Sequence, residues 1–252
     1  MVAHAATGSD SLILAAARNL AAWHEASVAA LGNRSERIPG GWLSVDSIPD
    51  IYFGWVGTDP TVDPANVALA LGRRSRGRRP SSACDPWSRL DLTSIGFRAG
   101  ERQPWWFRSA GPVASAPHPI GMSVEVVKSE IELATYEVVS AEGFGIAPAP
   151  PFRWHGPALL ADRRFTVFLA RLDGRPAGAA LAFVEAGAVG VYGVTTVPWA
   201  RERGLAGALT GHAINVAANL PSVLQPSPEA RGLYARLGYA RFAEFATWVR
   251  SG

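Results

Sequence analysis

Cysteine, lysine and long uncharged segments are what this sequence of 252 residues has least of. Cys84 is the only cysteine, so no internal disulfide can form and a reducing compartment is favoured. No stretch approaches the roughly 20 uncharged apolar residues that a membrane span needs. The short apolar run at residues 12–17 follows an aspartate rather than basic residues, which is not typical of a signal peptide. The sequence therefore predicts a cytoplasmic protein with no membrane partner.

Basic charge comes almost entirely from arginine, because Lys128 is the only lysine. The formal net charge is +3, and such a small excess does not by itself indicate nucleic-acid binding. Residues 73–79 contain five arginines, which could contact phosphates. A solvated loop is the favoured interpretation, since no aromatic residues are interleaved and no nucleic-acid motif accompanies the run. We therefore expect no nucleic-acid partner, and binding through this run is the weaker alternative.

Residues 190–218 are the most informative part of the sequence. Residues 191–197 are rich in β-branched side chains and predict a strand, which should end before Pro198. A helix is predicted further on, because apolar residues recur there on one face. These residues are Leu205, Leu209, Ala213 and Val216.

The junction between this strand and this helix, residues 201–206, reads RERGLA. Gly204 has no Cβ, so a ligand can approach the backbone closely. The first amides of the helix have no intrahelical acceptor, and the helix dipole is positive at this end. Together with the charges of Arg201 and Arg203, these features predict a site for a phosphate or pyrophosphate.

A second motif lies downstream at residues 224–239, LQPSPEARGLYARLGY. It combines a strand end, a short helix and a glycine turn in the pattern S-x-x-A-x-x-L-Y-x-x-L-G-Y. With the R-x-x-G-x-A junction, it resembles the acyl-CoA loop and the following helix of the GNAT superfamily of N-acyltransferases. The resemblance covers residues 121–252 and implies an α+β fold, acetyl-CoA (coenzyme A) as cofactor, and an amine acceptor that the sequence does not identify.

The resemblance implies roles for individual residues. The end of the central strand would pair with pantetheine through its main chain, and the amides that follow would hold the pyrophosphate. The residues so implied are Thr195, Thr196, Val197, Glu202, Arg203, Gly204, Leu205, Ala206 and Gly207. Ser227 takes the place of an asparagine that many members have, and an amide near Val197 would help to hold the oxyanion. Tyr234 matches the acid that protonates the leaving sulfur, and packing in the core is its alternative role.

The acceptor side and the general base are less defined. Loop residues 144–157 lie where the family often covers the acceptor, which makes Phe152, Trp154 and His155 candidate contacts, with loop packing as the alternative. The central strand carries no carboxylate at residues 190–194. The remaining candidates for the base are Glu142, Glu185, His155 and His212, or a water chain. We therefore assign no base, and we expect no metal site.

An internal repeat relates residues 95–108 to residues 237–250 at a constant offset of 142, with Trp106 matching Trp248. Residues 58–63 carry two aspartates and no R-x-x-G-x-A loop. The sequence therefore predicts two tandem GNAT-like halves, each a mixed, mostly antiparallel twisted sheet flanked by helices. Residues 1–115 would be a degenerate half, and residues 116–252 the acetyltransferase domain with the acyl-CoA site. The proline-rich residues 109–120 are interpreted as the linker.

Local patterns place several elements. They predict a helix over residues 11–31 with His24 on its surface, strands over 41–47 and 51–57, and a helix from Asp63. In the second half they predict a strand at 123–127, a capping box at Ser129 and a hairpin of residues 165–172 and 177–184.

The sequence as a whole thus predicts a cytosolic N-acetyltransferase that moves an acetyl group directly from acetyl-CoA to an amine. The alternative is an acyl-CoA-binding pseudoenzyme that acts as a sensor or scaffold. Either protein would be a monomer or a homodimer.

Overall fold

The structure is a computed structural model that describes residues 8–73, 81–113, 118–147 and 153–250. The chain forms two compact units. The first contains the chain up to Trp105 together with the segment from Arg241 onwards, and the second contains residues 106–240. These bounds differ from the predicted halves because the last strand of the chain completes the sheet of the first unit. None of the described helices is long and apolar enough to cross a bilayer.

The first unit is a mixed sheet with helices α1 (Gly8–Ala30) and α2 (Pro64–Arg73). Its strands are β1 (Ser35–Ile38), β2 (Gly41–Ser44), β3 (Trp55–Gly57), β4 (Ser82–Asp85), β5 (Phe97–Ala99) and nearly all of β12 (Ala240–Arg250). The strand order is β1-β2-β3-β4-β12, and β5 also pairs with β12. Only β3 and β4 are parallel within the described part of this sheet. The helix and the two strands predicted after residue 10 are present, with shorter strands, whereas β1 was not predicted.

His24 lies in the core of the first unit, and its predicted position on the helix surface was wrong. The residue is 1% exposed, its Nδ1 bonds the Leu20 carbonyl at 2.8 Å, and its Nε2 accepts from the Phe53 amide at 2.9 Å. Both ring nitrogens are thus satisfied inside the protein, which makes the buried imidazole tolerable. Burial lowers the pKa of His24 to about 4.

The second unit is a mixed, mostly antiparallel sheet flanked by helices α3 (Glu130–Gly143), α4 (Leu205–Asn215) and α5 (Arg231–Arg236). Its strands are the end of β6 (Gln103–Arg108), β7 (Met122–Val126), β8 (Phe165–Leu172), β9 (Arg175–Glu185), β10 (Ala188–Thr196) and β11 (Ser222–Leu224). They run in the order β6-β11-β10-β9-β8-β7. The Ser129 capping box at the start of α3 and the β8–β9 hairpin are confirmed.

The sequence repeat has a structural counterpart in each unit. Gly96 and Gly238 have φ values of 86° and 87°, a left-handed conformation that favours glycine. The aromatic residue after each glycine donates its amide to the carbonyl five residues earlier, at 3.2 and 3.0 Å. Each unit also contains a strand, a helix and a parallel strand in succession, β3-α2-β4 and β10-α4-β11. The two halves therefore share one local architecture.

The strands that follow these two turns are exchanged. Residues 106–108 of β6 follow the turn of the first unit but pair with β11 of the second. Conversely, β12 follows the turn of the second unit but pairs with β4 and β5 of the first. The end of β6 thus completes the sheet of the second unit, and β12 completes the sheet of the first.

Candidate functional site

A slot opens beside the central strand β10 of the second unit. The parallel pairing of β10 with β11 covers only Val189 and Gly190, because β11 ends after Leu224. From Val191 to Thr196 the edge of β10 has no further register with β11. A diverging pair of parallel strands therefore leaves main-chain donors and acceptors exposed to a ligand that can act as an added strand.

The direction of each amide along β10 decides which groups face this slot. The Val197 amide donates to the Ala177 carbonyl of β9 at 3.0 Å, so the predicted oxyanion donor near Val197 would have to be another amide. Thr195 pairs with Ala179 of β9 and faces the same way, whereas alternation turns the main chain of Thr196 towards the slot. The Oγ1 atom of Thr196 is also buried, and among the described residues it has no hydrogen-bond partner.

A β-bulge interrupts β10 at the middle of the slot. The register with β9 shifts between Tyr192 and Thr195, and Gly193 has a φ of +61°. A Cβ at Gly193 would lie 3.2 Å from the Oη of Tyr136, which is buried in α3. Bulges turn amides out of the regular ladder, so this one supplies donors where a developing negative charge can be stabilised.

The loop between β10 and α4 has the geometry of an anion site. Gly204 is the N-cap residue with a φ of +83°, and no side chain caps the helix. Glu202, which is not a glycine, also has a positive φ of 63°. Such strain in a non-glycine residue is often stored at ligand-binding sites. Leu205 is buried and anchors the first turn, while Arg203 and Gly204 are exposed.

The side chain of Arg201 has a structural role at this loop. Its guanidinium donates to the carbonyl of Gly143, the last residue of α3, at 2.9 Å and to the carbonyl of Thr196 at 3.4 Å. Gly143 in turn packs against Thr195, and a Cβ at Gly143 would collide with the threonine hydroxyl. Arg201 thus joins the end of α3 to the end of β10. Both Arg201 and Arg203 are exposed to solvent.

Tyr234 lies in the core cluster that links β10, α4 and β11. It is 6% exposed, and burial raises its pKa to about 12, which a side-chain hydrogen bond with Thr210 only partly offsets. The Thr210 hydroxyl itself donates to the Ala206 carbonyl in the first turn of α4, at 2.7 Å. The phenol therefore stays protonated at neutral pH, as a proton donor must. Thr210 was not singled out from the sequence, because a threonine within a helix carries no signal of its own.

Comparison with known proteins identifies the family of one segment of the chain. Residues 129–239 match the model of the Acetyltransferase (GNAT) family, and this segment includes the slot, the loop and Tyr234. This segment therefore belongs to the GNAT family. No curated protein matches it.

Solved structures extend the likeness in fold beyond the GNAT segment. A GCN5-related N-acetyltransferase from Kribbella flavida has a TM-score of 0.67 at 23% identity, over 92% of this chain and 96% of its own. A protein assigned to the GNAT family from Novosphingobium aromaticivorans has a TM-score of 0.56 at 18% identity, over 94% of this chain and 99% of its own. These likenesses concern the fold, and they include both units.

Within the described residues of the first unit, the strand–helix junction before α2 has no comparable anion site. Asp63 accepts a hydrogen bond from the Ala65 amide at 2.9 Å, so a carboxylate of the chain already occupies the N-terminus of α2. Asp59 is held by the amide and the hydroxyl of Thr61. A phosphate at this position would meet two negative charges and a helix end that is already capped.

Helix α3 of the second unit carries a buried carboxylate that was not predicted from the sequence. One oxygen of Glu137, which is 5% exposed, accepts from the amides of Trp154 and His155 at 2.6 and 2.7 Å. The ring of His155 packs edge-on against Tyr136, the residue next to the bulge. Glu137 therefore ties loop residues 153–156 to α3. The signal available in the sequence was that Glu137 follows Leu133 by four residues, which is the helical spacing of buried positions.

The other candidate residues are distributed as follows. Glu185 pairs with Arg164 at the end of β9 that is remote from the bulge, and Glu142 is exposed. His212 lies on α4 beside His118. Ser227 is exposed and its hydroxyl bonds the Glu229 carboxylate. Phe152 and residues 74–79 of the arginine run lie outside the described residues.

Proposed function

We propose that this protein transfers an acetyl group from acetyl-CoA to an amine by direct attack. The observation that carries the proposal is the uncapped, glycine-led N-terminus of α4, which follows a strand whose pairing with β11 stops after Gly190. Few other ligands need a pyrophosphate site and an extended strand-like arm in succession. The family match over residues 129–239 supports the same conclusion.

The residues present fit coenzyme A. The amides of residues 202–207 would bind the pyrophosphate with the help of the helix dipole and Arg203. The slot-facing main chain of Thr196 and its buried, unpartnered Oγ1 would bind the pantetheine amides. Thr195 and Val197 face β9 and would shape the slot through packing. Ser227, at the other side of the loop, would need to leave Glu229 to make a contact.

Acetyl-CoA, when bound, supplies a thioester carbonyl that an amine can attack. The amides at the Gly193 bulge would stabilise the negative charge that develops on the carbonyl oxygen. Tyr234, protonated because its pKa is raised, would donate its phenolic proton to the departing sulfur. Loop residues Trp154 and His155, held by Glu137, would form a wall of the acceptor site.

Two measurements test the proposal. Calorimetry with coenzyme A should give one site per chain, and Gly204→Glu should abolish binding because it adds bulk and negative charge at the loop. A panel of amines should then reveal an acceptor through thiol release. Two sites per chain, or unchanged affinity in the variant, would refute the assignment of the cofactor site.

Tyr234→Phe separates an enzyme from a sensor. General acids typically contribute about 10²–10⁴-fold, so kcat should fall by roughly that factor while the Kd for coenzyme A changes little, since the ring stays in place. An unchanged kcat would leave Tyr234 a packing residue. Tight binding of coenzyme A with no thiol release from any amine would favour the sensor. The absence of a carboxylate at residues 190–194 is consistent with that alternative.

A further inference from the structure

Two histidines that are remote in sequence meet on the surface of α4. His212 lies in the third turn of the helix, and His118 lies 94 residues earlier, in the linker before β7. Their Nε2 atoms are 3.2 Å apart, and their ring centres are 5.1 Å apart. Neither histidine has a role in the proposed transfer reaction.

We propose that His118 and His212 form a binding site for one divalent transition-metal ion such as zinc, completed by solvent. The proposal does not depend on the acyl-transfer reaction, although the cavity beside the histidines adjoins Gly207, one of the residues proposed to hold the pyrophosphate. Because the two ligands come from different segments, the ion would fasten the linker to α4.

The distances between the rings match those of a chelate. An ion about 2.0–2.1 Å from both Nε2 atoms, at a near-tetrahedral angle of about 103°, places these atoms about 3.2 Å apart and the ring centres about 5 Å apart. A straight N–H···N hydrogen bond of the same length would place the ring centres about 5.5 Å apart.

Space and charge around the pair also suit a metal ion. A cavity of about 40 Å³ adjoins both rings, and its floor is made of the small residues Gly207, Ala208 and Gly211. That volume exceeds the roughly 10–15 Å³ that one water molecule needs. The two histidines are the only ionisable residues that the structure describes in its lining. His118 is exposed, so water can complete the coordination shell.

The described start of the linker, residues 109–113, is held in place without the ion. Arg108 bonds the carbonyls of Ser109, Gly111 and Pro112, and Asn215 exchanges two hydrogen bonds with the main chain of Val113 at 3.0 and 3.2 Å. Beyond His118, the Met122 amide donates to the Pro119 carbonyl at 3.0 Å. Ligands that are positioned in advance bind a metal with less loss of conformational entropy.

The donor set determines the class of ion. Neutral imidazoles favour zinc, copper and nickel, whereas calcium and magnesium prefer oxygen ligands. The described residues contain no cluster of three or more His, Cys, Asp or Glu ligands. A pair of histidines 94 residues apart forms no recognisable metal motif in a sequence.

Cobalt(II) is the probe for the test, because zinc has no visible spectrum and cobalt reports its own coordination geometry. The full chain should bind one cobalt ion with the absorption of a tetrahedral complex, and zinc should displace it. His118→Gln and His212→Gln should each weaken binding by at least about a hundredfold, since even indirect ligand partners contribute about 10–100-fold. His4→Gln is the control, because it removes a histidine outside the proposed site.

His118 is an exposed linker residue, so the His118→Gln variant should fold as the parent does. Thermal unfolding without metal checks this. Loss of the cobalt spectrum in both variants and its retention in His4→Gln would support the site. Absence of stoichiometric cobalt binding by the parent chain would overturn the proposal and leave a hydrogen bond between the rings. Full binding by either of the two variants would overturn it as well.

Discussion

Replacing Gly204 by alanine tests whether this glycine serves a phosphate site or only allows a left-handed backbone. Gly204 has a φ of +83°, and a Cβ there would meet only the Cγ atom of Pro119, at an ordinary contact distance of 3.7 Å. The methyl group therefore fits the protein, and the penalty is conformational, about 1–2 kcal/mol. The melting temperature should fall by roughly 2–8 °C.

Gly187 provides a matched control in the same unit. It has a φ of +73° in the turn before β10, and a Cβ there would meet nothing within 4 Å. Gly187→Ala should therefore lower the melting temperature by about as much as Gly204→Ala. Since this turn lies at the opposite end of β10 from the loop, the control should bind coenzyme A as the parent does.

The affinity for coenzyme A is the quantity that distinguishes the two variants. A methyl group on Gly204 would keep the pyrophosphate from the amides of α4, and one lost charge-assisted hydrogen bond costs about 1.5–3 kcal/mol. Calorimetry should then show a Kd raised roughly tenfold to a hundredfold by Gly204→Ala alone. Equal affinity in the parent and Gly204→Ala would refute the placement of the pyrophosphate. An equal loss in both variants would attribute the effect to general destabilisation.

Four further outcomes are expected. Because Tyr234 has a pKa of about 12, kcat should show no alkaline fall from this residue between pH 6 and 10; an apparent pKa below 10 that disappears in Tyr234→Phe would contradict this. His24 is held neutral with its pKa lowered from 6.5 to about 4, so its contribution to the unfolding free energy is present above pH 6.5 and is lost as the pH falls to 4. The loss is about 3 kcal/mol, and urea unfolding at several pH values should show a flatter dependence in His24→Gln. Glu137→Ala removes the acceptor of two buried amides and should destabilise the protein by about 2–6 kcal/mol in urea unfolding. Glu142→Ala, on the exposed side of the same helix, should change the free energy of unfolding by no more than about 0.5 kcal/mol. Replacing the five arginines of residues 73–79 by serine should leave acetyl transfer unchanged, and salt-sensitive binding to a DNA duplex that the variant loses would contradict this.

Local sequence signals were sufficient for the elements that carry the proposed cofactor site. The Val-Pro boundary, Gly204 and the apolar spacing of α4 are features of a few consecutive residues, and the family motifs depend on the same residues. Gly96 and Gly238 likewise marked equivalent turns, because a left-handed residue is usually glycine.

Features that depend on distant contacts were not accessible from the sequence. The direction of the Val197 amide depends on the register with β9 and on the bulge, neither of which a strand pattern reveals. The burial of His24 depends on the Phe53 amide, 29 residues away. The pairing partner of each final strand depends on strand order, so the repeat showed two equivalent strands but not their exchange.

The exchange of β6 and β12 has a consequence for biosynthesis. A ribosome makes the chain from its N-terminus, so the first unit must wait for residues 241–250 before β4 and β5 gain their partner. Until then, β4 presents an unpaired edge, and such edges promote association between nascent chains. The second unit has all its strands by residue 224, and it can therefore complete its sheet before the unit that precedes it in the sequence.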